Sequence, residues 1–187
     1  MSQKITPAAR AAISEAVAHA HGEGASQVRE EHLLSAVLAD PASDTVLRPL
    51  NPDLEVGTVL VEVGRARRRA GLSASEVQAL AGLGIDLDEV VGRVEATLGE
   101  GALAPAVSRS RSGWRGPAVS PEFQRVLLAS HRLMLARGDR ALDVQHLLLG
   151  LLAQPGLAAD ALARQGITLT AALGALEARD AQPKQPR

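Results

Sequence analysis

The chain has 187 residues, 46% hydrophobic but only 1% aromatic, with no cysteine and a formal charge of −1. That length buries a sizeable core without staples, excludes a disulfide framework and thiol chemistry, and the near-neutral balance argues against whole-surface attraction to nucleic acid. No apolar run approaches the ~18 residues of a membrane span, so neither membrane insertion nor a membrane partner is expected.

Met1 to Thr6 lacks the charged-then-apolar layout of a signal peptide, and a soluble cytoplasmic protein is the expectation. Thr6 is a good N-cap with Pro7 at the first helical position. The helix it starts runs to about Gly22 and should bury Ala9, Ile13, Ala16, Val17 and Ala20. Gly22-Glu23-Gly24 ends it, and Val28 leads into a helix opened by Glu30 and Glu31, whose negative charge suits the helix dipole. In that helix Leu33, Leu34, Val37 and Leu38 recur at i, i+1, i+4 and i+5, a wide apolar stripe. Pro41 stops it.

Between residues 42 and 74 the pattern is irregular. Asp44-Thr45-Val46-Leu47 begins a short helix broken by Pro49 and Pro52. Asp53 is placed to cap another, presenting Leu54, Val56, Val59, Leu60 and Val63, which ends in the basic run Arg65-Ala66-Arg67-Arg68-Arg69 before Gly71. Two further short helices follow, separated at Gly84-Ile85-Asp86-Leu87. Residues 99–118 read as a linker, punctuated by Gly99, Gly101, Pro105, Gly113, Gly116 and Pro117 and carrying Ser108-Arg109-Ser110-Arg111-Ser112 and the lone Trp114. After Glu177 the polar, proline-bearing tail Asp180 to Arg187 has no periodicity and reads as disordered.

Two internal matches organise these elements. Glu30-Glu31-His32-Leu33-Leu34 returns as Val144-Gln145-His146-Leu147-Leu148, and Pro41 as Pro155, an offset of 155 − 41 = 114 that also carries Thr6-Pro7 onto Ser120-Pro121, Gly24 onto Gly138 and Val28 onto Leu142. An ungapped match of 6–41 with 120–155 argues for a duplicated helical unit. Ala79-Leu80-Ala81 and Gly84-Ile85-Asp86-Leu87 align instead with Ala161-Leu162-Ala163 and Gly166-Ile167-Thr168-Leu169, at an offset of 161 − 79 = 82. The first repeat would then hold 114 − 82 = 32 extra residues, placed within about 42–74. The expected architecture is all-α: two pseudo-repeats of a small helical bundle, at 1–98 and 119–179, joined by an irregular linker at 99–118, with 180–187 as the tail.

Candidate chemistry is sparse. No Gly-x-x-x-x-Gly-Lys-Ser/Thr is present, and the two lysines, Lys4 and Lys184, sit near the ends, so no P-loop is formed. The five histidines show no metal-ligand spacing; His19 and His21, two apart, do not lie side by side on a helix. His32 and His146 repeat as part of the Leu-Leu framework and read as structural, with no Ser or Asp motif to make either a general base. Neither an enzyme nor a cofactor is indicated. Arg65, Arg67, Arg68 and Arg69, with Arg109, Arg111, Arg115 and Trp114, support an alternative class, a helical nucleic-acid-associated regulator, but a solvated helix end and a soluble linker explain them more simply.

Thr/Ser-Pro opening a helix, with Glu/Gln-His-Leu-Leu twenty-five positions on, resembles the N-terminal repeat domain of the Clp family of AAA+ unfoldases, and the Leu-Ala-x-x-Gly-Ile segments fit the same family. The resemblance covers residues 5–98 and 119–178 and implies a binding module, here without the ATPase module, that engages a Clp unfoldase, its adaptors or substrate segments, or acts as a decoy for ligands of the unfoldase. In some members each repeat binds phosphoarginine through the Thr and Glu of the motif. By position those are Thr6 and Glu31 in the first repeat, with Ser120 and Gln145 as a degenerate second set. The family's aromatic residue before the Thr is replaced by Ile5 and Val119.

Overall fold

The computed structural model describes residues 4–68, 74–98 and 117–181. Within them the chain forms β1 (Lys4–Ile5), α1 (Pro7–Gly22), β2 (Gln27–Val28), α2 (Glu30–Ala39), α3 (Pro41–Leu50), α4 (Val56–Arg68), α5 (Ala74–Gly82) and α6 (Leu87–Leu98). After these come β3 (Ala118–Val119), α7 (Pro121–Ala136), β4 (Ala141–Leu142), α8 (Val144–Ala153), α9 (Leu157–Arg164) and α10 (Leu169–Asp180). The fold is all-α, the strands being two residues each.

Both ends of α1 and α7 are built alike. The hydroxyls of Thr6 and Ser120 accept from the N–H of Ala9 (3.2 Å) and Phe123 (3.1 Å), and proline follows each cap. At the other end Gly24 (φ 65°) and Gly138 (φ 75°) take the left-handed conformation, returning the chain so that Ala25 N–H reaches Ala20 O and Asp139 N–H reaches Met134 O. A side chain at either glycine would be strained.

The strands join the repeats reciprocally. β1 pairs in parallel with β4, Lys4 opposite Ala141 and Ile5 opposite Leu142. β3 pairs with β2, Ala118 opposite Gln27 and Val119 opposite Val28. Shifting either register by 114 gives the other. The bond that follows each ladder is also shared: Thr6 N–H donates to Leu142 O and Ser120 N–H to Val28 O, both at 2.9 Å.

The chain divides into two compact units, Met1–Val56 with Arg109–Arg187, and Gly57–Ser108. In the first, α8 is central, packing on α7, α2, α1, α3, α9 and α10, while α2 packs on α1, α3, α7 and α9. Leu33, Leu34, Val37, Leu38, Leu147, Leu148, Leu149 and Leu151 are buried, and Leu152 is half-buried. On α1 the buried face is Ala9, Ala12, Ala16 and Ala20; Ile13 and Val17, expected inside, are half-buried, because the close α1–α2 crossing selects the small residues. In the second unit α5 packs on α6, and Val59 and Val63 of α4 are buried.

The extra residues were expected within about 42–74, and the packing of α3 bears on that expectation. α3 packs on α2 and α8, as α9 packs on α8 and α2, so α3 holds in the first repeat the place that α9 holds in the second. Proline opens α3 under an Asp40 cap whose carboxylate accepts from Ala42 N–H (2.8 Å), and Pro49 is carried inside the helix near its end. The same offset carries Val56, where α4 begins, to 56 + 114 = 170, beside the start of α10 at Leu169. By that equivalence we propose α5 and α6 as the additional elements; their turns and caps resemble those of α9 and α10. Gly84 (φ 80°) and Gly166 (φ 77°) return the chain identically, Ile85 N–H to Leu80 O and Ile167 N–H to Leu162 O, both 3.0 Å. Asp86 and Thr168 then cap α6 and α10 through Glu89 N–H (3.2 Å) and Ala171 N–H (3.3 Å). The tail begins later than expected, since Asp180 lies in α10 and bonds Arg137 at 2.6 Å. Residues 99–116 and 182–187 lie outside the described residues.

The α7–α8 crossing is closer than side chains permit at one point. A Cβ on Gly150 would meet Ser130 Oγ at 2.0 Å and Val126 O at 2.7 Å; Ser130 Oγ itself donates to Val126 O at 2.8 Å. At the matching α1–α2 positions, 114 earlier, Ala36 and Ala16 are both buried. Gly150→Ala should lower stability by about 1–3 kcal/mol through overpacking, and adding Ser130→Ala should recover part, since the carbonyl contact persists; chemical denaturation of the two variants measures both.

Arg179 and Arg137 hold the Asp180 carboxyl below its ordinary value of 3.8, against a smaller opposing effect of desolvation. A depressed carboxylate adds stability above its unfolded value and loses it as pH falls through the folded one. Asp180→Asn should therefore lower the melting temperature slightly at neutral pH and flatten the acid limb below about pH 3.8, the two forms converging as pH falls, as acid titration of the melting temperature would show.

Candidate functional site

The strand exchange sets the start of each long N-terminal helix against the start of the other repeat's Leu-Leu helix. At one corner Thr6, capping α1, donates its hydroxyl hydrogen to Asp143 Oδ1 at 2.9 Å, and the same oxygen accepts from Val144 N–H at 2.8 Å, capping α8. At the other, Ser120 caps α7, is fully buried, and its N–H is held by Val28 O. The residue after Val28 is Arg29, the N-cap position of α2, and 29 + 114 = 143. The corners therefore differ in sign where they correspond: a carboxylate beside α1, a guanidinium-bearing residue at the start of α2.

The sequence groups Thr6 with Glu31 and Ser120 with Gln145, each pair within one repeat. In the structure the direct partner of Thr6 is Asp143, two residues before Gln145, and the main-chain partner of Ser120 is Val28, three before Glu31. Glu31 is half-buried in the first turn of α2. Gln145 is half-buried in the first turn of α8 and is used structurally: its amide donates to Thr45 Oγ1 at 3.1 Å and approaches Ala42 O at 3.5 Å, tying α8 to α3. Ile5 and Val119, 40% and 42% exposed, flank the two hydroxyl residues with matching apolar surface.

His32 and His146 have framework roles. Each is buried; Nδ1 accepts from the N–H of Arg29 (2.9 Å) or Asp143 (3.1 Å), and Nε2 faces Glu23 (3.1 Å) or Asp139 (2.9 Å). An acceptor at Nδ1 places the proton on Nε2, where it is donated to the carboxylate. The imidazole thereby does what a Glu does in a capping box, securing the N-cap's own N–H.

Glu30 lies in the first turn of α2 as the sequence suggests, and has a second role that the sequence does not show. It is buried, and its Oε1 accepts from Ala158 N–H at 3.3 Å, so it caps α9 from another helix. A Cβ on Gly156 would lie 2.5–2.6 Å from its carboxylate oxygens. The repeat has Val144 at the matching position, and that carboxylate-for-valine difference, together with a glycine opening α9, is the available signal.

Of the basic run, Arg65 is exposed on α4; Arg69, Arg109, Arg111, Trp114 and Arg115 lie outside the described residues. Among the described residues no group of His, Asp or Glu is arranged to hold a metal ion. No single described helix is long and apolar enough to cross a membrane.

A profile of the Clp repeat (R) N-terminal domain matches residues 72–165 and 118–186. No curated protein matches the sequence. Among solved structures, one from work on a malarial protein secretion system is 16% identical with a TM-score of 0.60, covering 98% of this chain and 99% of that one. The Hsp104 N-terminal domain from Candida albicans is 18% identical with a TM-score of 0.51, covering 96% and 93%. The N-terminal domain of the chaperone ClpD from Arabidopsis thaliana is 20% identical with a TM-score of 0.48, covering 94% and 96%. At such identities the likeness of the first two is one of fold. Joined to a profile match that runs from residue 72 to residue 186, it identifies the chain as a member of the Clp repeat N-terminal domain family.

Proposed function

We propose that this protein is a non-enzymatic recognition module of the cytoplasm that binds protein segments: substrates, including arginine-phosphorylated ones, adaptors, or a Clp unfoldase itself, with a decoy for the unfoldase's ligands as one form of that role. The observation that carries the reading is the pair of corners in which a hydroxyl-capped helix start meets the first turn of the opposite repeat's Leu-Leu helix. The first-turn N–H groups of a helix suit a phosphoryl group, a nearby carboxylate suits a guanidinium, and Ile5 and Val119 offer apolar contact to flanking peptide.

Thr6, Glu31, Ser120 and Gln145 are the proposed contact residues, and the corners are unequal. Asp143, bonded to Thr6, puts a negative charge where a phosphoryl group would lie. Gln145 lacks the charge of Glu31 and already binds α3. The corner of Ser120, Arg29 and Glu31 has a cation for the phosphoryl group and a carboxylate for the guanidinium. Phosphoarginine binding is therefore expected to be dominated by that corner.

A hydrogen bond to a charged group contributes roughly 1.5–3 kcal/mol, against about 1 for a neutral one. Glu31→Gln should thus weaken phosphoarginine about three- to thirtyfold in calorimetric titration, while Gln145→Leu should leave that affinity unchanged. Two equal sites in the unaltered chain, or no loss on Glu31→Gln, would sink the unequal-corner reading.

A second expectation concerns Asp143. Asp143→Asn retains a capping side chain but removes the charge, so phosphoarginine should gain measurable affinity for the Thr6 corner. A titration unchanged in stoichiometry and affinity would show that this charge does not set the corner's preference.

A further inference from the structure

Thr45 stands in surroundings that share only Gln145 with the corner chemistry. It is exposed on α3, and its Oγ1 donates to Ala42 O at 2.7 Å. The same oxygen accepts from two side chains of other helices, Gln145 Nε2 of α8 at 3.1 Å and Arg179 Nη1 of α10 at 3.5 Å. The contrast with Thr6, whose hydroxyl faces a carboxylate, is one of sign.

Arg179 is also held in place. Its Nε and Nη2 both bond Asp180 Oδ1, at 3.2 and 2.8 Å, and Asp180 Oδ2 is held by Arg137 at 2.6 Å. That relay leaves Nη1 directed at Thr45, so the guanidinium is ordered before any anion arrives. On α3 itself Arg48 lies one turn beyond Thr45, pairing with Asp44 at 3.8 Å. Asp44 is the like charge a phosphate would meet; Arg48, Arg179 and the Gln145 amide oppose it.

We propose that Thr45 is a phosphoacceptor whose phosphate is received by Arg179 and Gln145, fastening α3 to α8 and α10. The donor is ATP acting through a hydroxyl-directed protein kinase. The bond from Thr45 Oγ1 to the γ-phosphorus forms as the bond from that phosphorus to the ADP oxygen breaks, and the hydroxyl proton passes to the kinase's base. The step forfeits the hydrogen bond to Ala42 O and brings close to two negative charges and three acceptor oxygens to a place lined by donors. Because Gln145 lies in the first turn of α8, the modification also fixes the turn that follows Asp143.

The test is the full chain with phosphothreonine incorporated at position 45, compared in melting temperature with the unmodified chain, each also carrying Arg179→Gln. Phosphorylation should raise the melting temperature by about 2–6 °C, the effect expected of one or two charge-assisted bonds in a protein of this size. Arg179→Gln should abolish most of that rise. High salt should diminish it as well. A melting temperature that falls or does not change on phosphorylation would overturn the proposal, as would a rise of equal size with Arg179→Gln. Thr45→Val separates loss of the hydroxyl from gain of the phosphate, and should not raise the melting temperature.

Discussion

Two main-chain hydrogen bonds carry the architecture: Thr6 N–H to Leu142 O and Ser120 N–H to Val28 O. Each closes a two-residue ladder that is too short to stand alone, and each fixes the entry of a long helix against the other repeat. Because the ladders are reciprocal, neither repeat completes its own helix start. The N-cap of α8 bonds the N-cap of α1, and α2 and α8 come together as the centre of one core.

Within that frame the duplicated halves have diverged by compensated exchanges. On α1 and α2 the matching positions hold buried Ala16 and Ala36; where α7 crosses α8, Ser130 meets Gly150. The larger side chain on one helix is accommodated by the loss of a methyl group on the other, which keeps the interaxial approach close. Glu30 and Val144 diverged differently. The carboxylate caps α9 from a distance, whereas valine is buried in the core.

Much of this was legible in the sequence because it is local. The Thr-Pro and Ser-Pro starts, the left-handed glycines, the Leu-Leu stripe and the twinned Gly-Ile turns are each written within a few residues, and each is found where periodicity and capping place it. What the sequence does not show is non-local. Residues 42–74 seemed irregular because prolines punctuate them, yet Pro41 suits a first helical position and Pro49 a last turn, so α3 forms and takes the place equivalent to α9. The second role of Glu30, capping α9, is hidden for the same reason, since its partner is 128 residues away. The grouping of Thr6 with Glu31 followed the repeats in sequence, and strand exchange between repeats is invisible to any comparison of one repeat with another.

The exchange of strands also bears on how the chain is made. Synthesis proceeds from the amino terminus, and the oxygen that holds Thr6 belongs to Leu142, whose codon is read 136 residues later (142 − 6). Until then α1 and α2 emerge with the leucine stripe of α2 unpaired by α8, and with β2 awaiting Ala118. Long-range closure of this kind slows folding and leaves apolar surface exposed while the chain is still being extended. The alanine-rich α1, lying against α2 through small residues, limits how much of that surface is offered to other chains in the interval. This chain is thereby, during its own synthesis, a nascent chain with an uncovered apolar stripe.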